Sequence, residues 1–298
     1  MKQAILILAG GNLNYLTRLL DMFDGHFYVF IHLDKKCRLT EEQLKKLRST
    51  PGVKLVEQRY EVFWGSVSIV KSTLFLCHEA LKYKEVSRLH LISGTDLLLQ
   101  KPAHFESFFE KTGEQEYLEY FSLPTTHWKG GGLNRLAFFY PTDFVDVRSP
   151  GGYEVLRLLT EAQSKNRVQR SLPEMPLYGG SMWWSLTRNC VKYLVHYSKE
   201  EPDLLNRMHF TYVPDEIYIQ TVVMNSPYAS HVTGTNLRYI CWEMRNGNIP
   251  ANLDISDLQA IRGSENLFAR KVVSPVSDEL IVAVEAFIKK PSSTELTS

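Results

Sequence analysis

No excess of charge of either sign marks this sequence: 34 Lys and Arg stand against 33 Asp and Glu over 298 residues, for a formal net charge of +1. That balance removes any sequence-wide electrostatic argument for nucleic acid or an anionic surface, so an anionic ligand must be held by a few placed cations. Long hydrophobic runs are missing too. No stretch reaches the roughly 18 to 20 apolar residues of a membrane-spanning helix. The apolar run at 4–9 follows a single Lys and ends at Gly10-Gly11-Asn12, so it reads as a buried strand and not as a signal-peptide core. Cysteine is scarce. Cys37, Cys77, Cys190 and Cys241 form no C-x-x-C pair and read as free thiols in a reducing compartment. Neither G-x-G-x-x-G nor G-x-x-x-x-G-K-[ST] occurs, which leaves no phosphate-loop signature. Ser93-Gly94-Thr95-Asp96 ends a strand where a D-x-D metal motif would sit, and its single carboxylate argues against a divalent-metal site.

What is present alternates. Residues 4–9, 26–33, 53–56 and 88–92 read as strands. Between them, 14–23 carries Leu16, Leu19, Leu20 and Phe23 at helical spacing, Thr40 caps a helix starting at Glu41, and 68–81 is a long helix with Leu74, Cys77 and Leu81 inward. Strand, helix and strand in this order imply parallel pairing with helices on both faces, an α/β fold. Residues 112–150 look like loops and short strands around Gly130-Gly131-Gly132. A strand at 181–186, helices at 188–198 and 215–224, a loop-rich stretch at 244–278 and a closing helix at 278–289 complete the chain. With no repeat or linker, residues 1–298 are expected to form one domain.

In open α/β sheets, ligands sit at the carboxyl ends of the strands. Asp34 lies there and suits a ribose or a ring N–H, or the capping of a following helix. Trp64-Gly65-Ser66 opens the long helix; the indole suits stacking on a base, or simple packing beside a capped helix start. The run at 178–184 (YGGSMWW) offers aromatic faces for a pyranose, or an ordinary bulged strand. Pro214-Asp215-Glu216 has the composition of a helix start. Arg238, inside the apolar strand LRYICW at 237–242, needs an anion if it is buried: a diphosphate, or a nearby carboxylate. Lys271 follows LFAR at 267–270.

Taken in order, FYVFIHLDK at 27–35, VFWGSVSIVK at 62–71, LHLISGTD at 89–96, LYGGSMWWSLT at 177–187, Pro214-Asp215-Glu216, LRYIC at 237–241 and LFARK at 267–271 resemble the core-2/I-branching β-1,6-N-acetylglucosaminyltransferase family, which includes peptide O-xylosyltransferases. The likeness runs over about residues 4–271. It implies a GT-A-like fold, a Rossmann-like and mostly parallel central sheet flanked by helices, with about 1–110 as the nucleotide-binding half of a single glycosyltransferase domain 1–298 and about 111–298 as its acceptor-binding and catalytic half. It also implies a UDP-sugar donor, inversion at the anomeric carbon, and no metal or other cofactor. By the same resemblance Asp34 faces the uracil–ribose end, with Trp64, Gly65 and Ser66 beside it. Arg238 and Lys271 reach one cleft and stand in for the metal on the diphosphate. Glu216 matches the catalytic base, and Glu119, five residues before Pro124, binds the acceptor together with Trp183.

The donor expected is UDP-GlcNAc, transferred to a glycan or lipid-linked saccharide. One alternative is transfer from UDP-xylose to a peptide or glycan, which VFWG at 62–65 favours. Another is a non-catalytic nucleotide-sugar or glycan-binding module, against which Glu216 together with Arg238 and Lys271 argues. Animal Golgi members carry a membrane anchor, a stem and several disulfides. No anchor is read here and Cys241 lacks its family partner, so the expectation is a bacterial, cytoplasmic enzyme building a surface polysaccharide or lipid-linked glycan. Peripheral association with the inner face of the membrane is compatible with that. Residues 112–176 diverge most, and they would form the acceptor side.

Overall fold

Continuous apolarity, without alternation, is what a strand covered on both faces requires. In the computed structural model, which describes residues 2–289, the first such run is β1 (Lys2–Ala9), with Ala4 to Ile7 fully buried. Helix α1 (Leu13–Phe23) starts from the Asn12 cap and packs Leu16, Leu19, Leu20 and Phe23 inward. Strand β2 (Tyr28–Leu33) follows, then α2 (Glu41–Ser49), whose Thr40 and Gln43 form a reciprocal capping box, and β3 (Val53–Glu57). Helix α3 (Val67–Ala80) starts at the Ser66 cap and leads to β4 (Val86–Ser93). These four strands are parallel in the order β3-β2-β1-β4. The order reverses between β1 and β4, and at such a switch point the crevice opens above the carboxyl ends.

The second half builds around that crevice. It comprises β5 (Leu97–Leu98), α4 (Pro102–Thr112), β6 (Tyr117–Leu118), β7 (Phe121–Ser122), α5 (Asn134–Ala137) and α6 (Gly152–Lys165). Then come β8 (Tyr178–Gly179), β9 (Trp184–Thr187), α7 (Arg188–Glu200), α8 (Pro202–Arg207) and α9 (Tyr218–Met224). The chain closes with β10 (Arg238–Ile240), α10 (Leu258–Arg262), β11 (Phe268–Arg270) and α11 (Asp278–Lys289). Strand β9 adds antiparallel to β4, and β6 to β9, so the sheet has six strands. Strands β10, β11 and β5 form a separate three-stranded sheet, and β7 pairs with β8. One apolar core packs α1, α4 and α11 against the large sheet, and a second packs α3, α7 and α9 on its other face.

The expected mostly parallel sheet flanked by helices is therefore observed. Its antiparallel edge was not read from sequence: β9 enters after the long excursion of residues 99–183 and from the opposite end. The helix expected at 215–224 is split. Pro214–Glu216 is a single 3-10 turn, Ile217 leaves helical geometry at φ −128°, and α9 starts at Tyr218. Helices α4 and α6 went unread, although Phe105 and Phe109 stand four apart behind Pro102. All four cysteines are free thiols. Among the described residues, no helix is long and apolar enough to cross a membrane.

Candidate active site

The carboxyl ends of β1 and β4 are pressed together: a Cβ on Gly94 would lie 2.8 Å from the Cβ of Ala9, so only glycine fits there. Asp34 follows β2 at this end. Its Oδ1 accepts from the backbone N–H of Lys36 at 3.0 Å and of Val62 at 3.1 Å, and its Oδ2 lies 3.5 Å from the Lys36 ammonium. The carboxylate thus holds the loop that delivers Trp64. Trp64 is partly exposed, edge-on to Tyr212 at 5.9 Å between ring centres. Gly65 has φ +71° and its carbonyl accepts from Val213 N–H at 3.0 Å, which docks this loop against the chain leading to Glu216. Ser66 corrects one expectation. It is fully buried, and its hydroxyl caps α3 by accepting from Ser68 N–H at 3.2 Å, so it shapes the loop and does not face a ligand.

Arg238 corrects another. Its guanidinium is buried and donates to Ser185 Oγ at 2.7 Å, to the carbonyls of Leu91 at 2.9 Å and Trp184 at 2.7 Å, and to the Asn236 carbonyl. Its Nη1 and Nη2 are thus held by main-chain carbonyls and a serine hydroxyl and not by a carboxylate, and its Nε has no hydrogen-bond partner. Burial pulls its pKa down to about 9, with Asp96 acting in the opposite sense. The cation beside the cleft is Arg270, next to Lys271. Its Nε donates to Asp96 Oδ1 at 3.3 Å, and its guanidinium lies 4.3 Å from the centre of the Trp183 ring. Trp183 is itself buried beneath it, which corrects the reading of Trp183 as an open sugar platform. Asp96 is buried, and its Oδ1 also accepts from Ser93 Oγ. Burial raises its pKa while Arg270 and Ser93 pull it back.

Lys271 is half-buried, and among the described residues no group hydrogen-bonds or ion-pairs with its ammonium. Burial depresses its pKa, Arg270 and Arg148 add to the effect, and Asp96 opposes it. Arg148 in turn stands 5.4 Å from the centre of the Trp64 ring. Lys271 and Trp64 are linked through Arg148, Arg270 stands beside Lys271, and the buried Arg238 acts electrostatically on Arg270 and Asp96. Several cations against one buried carboxylate leave a local positive field suited to a compact anion.

Glu216 is linked to Trp64 through Tyr212, whose ring meets the indole and which feels the Glu216 charge. Its Oε2 accepts from Arg135 Nη1 at 2.8 Å, and Arg135 stacks 3.5 Å from the Trp128 ring centre and 5.9 Å from that of Tyr212. The turn is pinned: Gly180 N–H donates to the Glu216 carbonyl at 3.0 Å, and Val213 is held at φ +53°. A β-branched residue in that region is a genuine outlier, and such strain gathers at functional sites. Glu119 accepts from Asn236 Nδ2 at 2.9 Å. Burial and then Glu216 raise its pKa, with His127 lowering it, so Glu119 and Glu216 share one neighbourhood. Asp215 is buried, and burial followed by Glu216 pushes it up to about 7.

Arg135, Arg148, Arg270, Tyr212 and Trp128 escaped the sequence reading. Arg270 sits inside a quoted motif, whereas the first two lie in the divergent stretch, where only a cation near several aromatics hinted at them. A cavity of about 650 Å³ lies elsewhere, at the amino ends of β1 and β4 beside Arg88 and Arg188, and shares no residue with this site.

The family model for the Core-2/I-branching enzyme matches residues 4–262, which includes Glu216 and leaves Lys271 just beyond its end. A xylosyltransferase of Ciona intestinalis is 24% identical over 93% of this chain and 33% of its own length. Xylosyltransferase 2 of Canis lupus familiaris is 26% identical over 82% of this chain and 27% of its own. The chain thus spans about a third or less of the length of these curated relatives. Among solved structures, S. aureus TarS 1-349 in complex with UDP-GlcNAc aligns at 15% identity with a TM-score of 0.30, over 39% of this chain and 33% of that one. The match over residues 4–262 places the chain in the Core-2/I-branching enzyme family.

Proposed function

We propose that this chain is an inverting glycosyltransferase that takes a sugar from a UDP-sugar without a divalent metal. The observation that carries the reading is that Glu216, held by Arg135, and the cations Lys271, Arg148 and Arg270 both gather about Trp64, Glu216 by way of Tyr212 and the cations by way of Arg148. In an inverting transfer the acceptor hydroxyl gives its proton to a carboxylate as its oxygen attacks the anomeric carbon, and UDP leaves from the opposite face. Glu216 would take that proton. Negative charge grows on the departing β-phosphate, where fixed cations stabilise the transition state more than the ground state. Lys271 and Arg148 would supply them. Glu119, whose carboxyl is raised by burial, suits a hydrogen bond to the acceptor. That Asp96 stands as a single carboxylate, its Oδ1 taken by Arg270 and Ser93, supports metal independence.

For the donor, the names of the relatives favour UDP-xylose over the UDP-GlcNAc expected from sequence. Slow hydrolysis of a panel of UDP-sugars tests both donor and base. UDP-xylose should turn over fastest. Glu216→Gln should keep UDP affinity and lose turnover on the order of a hundredfold. Wild-type-like turnover in that variant would reduce Glu216 to a turn residue, and faster hydrolysis of UDP-GlcNAc would return the donor to the earlier expectation.

A further inference from the structure

Arg148 reaches the candidate site from the loop 141–151, and few directional contacts tie that loop down. Its own backbone hydrogen bonds are internal. Phe144 N–H and Val145 N–H donate to the Pro141 carbonyl at 3.0 and 2.9 Å, Ser149 N–H to the Asp146 carbonyl at 3.0 Å, and Arg148 N–H to Asp146 Oδ1 at 2.9 Å. Thr142 and Val147 are buried and give the loop a floor. Apolar contact is non-directional, however, and does not by itself fix where Arg148 stands. Among the described residues, one hydrogen bond joins this loop to a distant part of the chain: Asp143 Oδ2 lies 2.9 Å from His209 Nδ1. The tie continues beyond the ring, because His209 Nε2 lies 3.1 Å from the ammonium of Lys71 on α3. An ammonium only donates, so Nε2 accepts; the ring proton then sits on Nδ1 and is donated to Asp143. His209 stands on a fixed turn, where Thr211 N–H donates to the Met208 carbonyl at 3.1 Å and both residues are buried.

We infer that the Lys71–His209–Asp143 chain places Arg148 beside Trp64, with His209 as a positioning residue for the cationic end of the donor site. Each end of the chain shares a short stretch of sequence with one member of the site. Lys71 lies on the helix that the Trp64-Gly65 loop opens, and Asp143 lies on the loop that carries Arg148. Holding Lys71 and Asp143 on one imidazole therefore sets how far the Arg148 guanidinium stands from the indole, 5.4 Å between Arg148 and the ring centre. A long side chain that must be ordered on binding lowers affinity, and a tether that orders its backbone beforehand removes part of that cost. As contributions to stability, partly exposed ion pairs of this kind count for little. The effect of His209 should then appear in the binding of a phosphate group and not in the melt. The inference rests on the reading of Arg148 as one of the cations that meet the diphosphate.

Isothermal titration of the full chain with UDP and with uridine tests this without any turnover. His209→Ala should weaken UDP binding about fivefold, leaving uridine affinity and the thermal melt close to wild type. Arg148→Ala should weaken UDP about tenfold. Adding His209→Ala to it should cost less than about a further twofold, because the loop then carries nothing to place. His209→Gln should recover wild-type affinity, since its amide can accept from Lys71 and donate to Asp143. Additive losses in the double variant, or a His209→Gln no better than His209→Ala, would overturn the inference. So would a His209→Ala that binds UDP as wild type does while Arg148→Ala and Lys271→Ala both weaken it, an outcome that leaves the cation reading standing. An Arg148→Ala with unchanged UDP affinity removes what His209 is said to position and overturns the inference as well. If Lys271→Ala is equally silent, the cation reading falls with it.

Discussion

Two adjacent carboxylates on one turn, Asp215 and Glu216, face opposite environments. Glu216 is partly exposed and paired with Arg135, whereas Asp215 is buried and its Oδ1 has no hydrogen-bond partner. Burial and the Glu216 charge raise Asp215 to about 7 from an ordinary value of 3.8, so the folded state holds a proton that the unfolded chain has released. A raised folded pKa means that the contribution to stability is complete below pH 3.8 and is lost as pH rises through about 7. Asp215→Asn mimics the protonated carboxyl at every pH. Its melting temperature should match wild type near pH 4 and exceed it by a few degrees at pH 8, a gain on the order of 1 kcal/mol or more. An Asn variant that melts below wild type at pH 8 would show that the ionised carboxylate is wanted there.

Between elements, Arg238 acts as a strut. It joins β10 to β4 through the Leu91 carbonyl and to β9 through the Trp184 carbonyl and Ser185. Arg238→Met would leave several buried acceptors unpaired, at a cost of roughly 3 kcal/mol or more. The molecules that still fold should bind UDP as wild type does. Lys271→Ala should behave the opposite way: its melt stays put, UDP binding weakens about tenfold or more, and uridine, which lacks the phosphates, is unaffected. Isothermal titration of both ligands against both variants checks the pair, and a well-folded Arg238→Met that has lost UDP would return Arg238 to the diphosphate. The elements of the first half were legible because their determinants are local: the Thr40–Gln43 capping box and the continuous apolarity of residues 4–9 fix them within the sequence itself. Glu216, Lys271 and Trp64 could be singled out as candidates through motifs in a recognisable order. The setting of Arg238 was not legible because sequence shows a cation in an apolar strand but not the carbonyls that hold it. Arg135 and Arg148 were invisible because tertiary approach to Trp128 and Trp64, and no local pattern, decides where they stand.

At the scale of the whole molecule, the candidate site is assembled from distant stretches of chain: Asp34 and Trp64 from the first half, Arg148, Glu216 and Lys271 from the second. A ligand that touches both halves binds the folded chain and not the unfolded one, so it must raise the melting temperature by mass action. With UDP at about a hundred times its dissociation constant the gain is about 2.7 kcal/mol, which for a chain of this size is a shift of several degrees. The size of that shift without metal is the informative quantity. If protein cations alone neutralise the diphosphate, EDTA should leave the UDP-induced shift unchanged and added Mn²⁺ should not enlarge it. Lys271→Ala should then shrink the shift whether or not Mn²⁺ is present. Were a divalent ion the true counter-charge, EDTA would abolish the shift and Mn²⁺ would restore it even in Lys271→Ala. Asp96 would then have to offer the metal its Oδ2 while Arg270 and Ser93 hold its Oδ1. A calorimetric scan of the two proteins under the two conditions separates these outcomes, because the cation hypothesis makes the shift depend on residue 271 and the metal hypothesis makes it depend on the buffer.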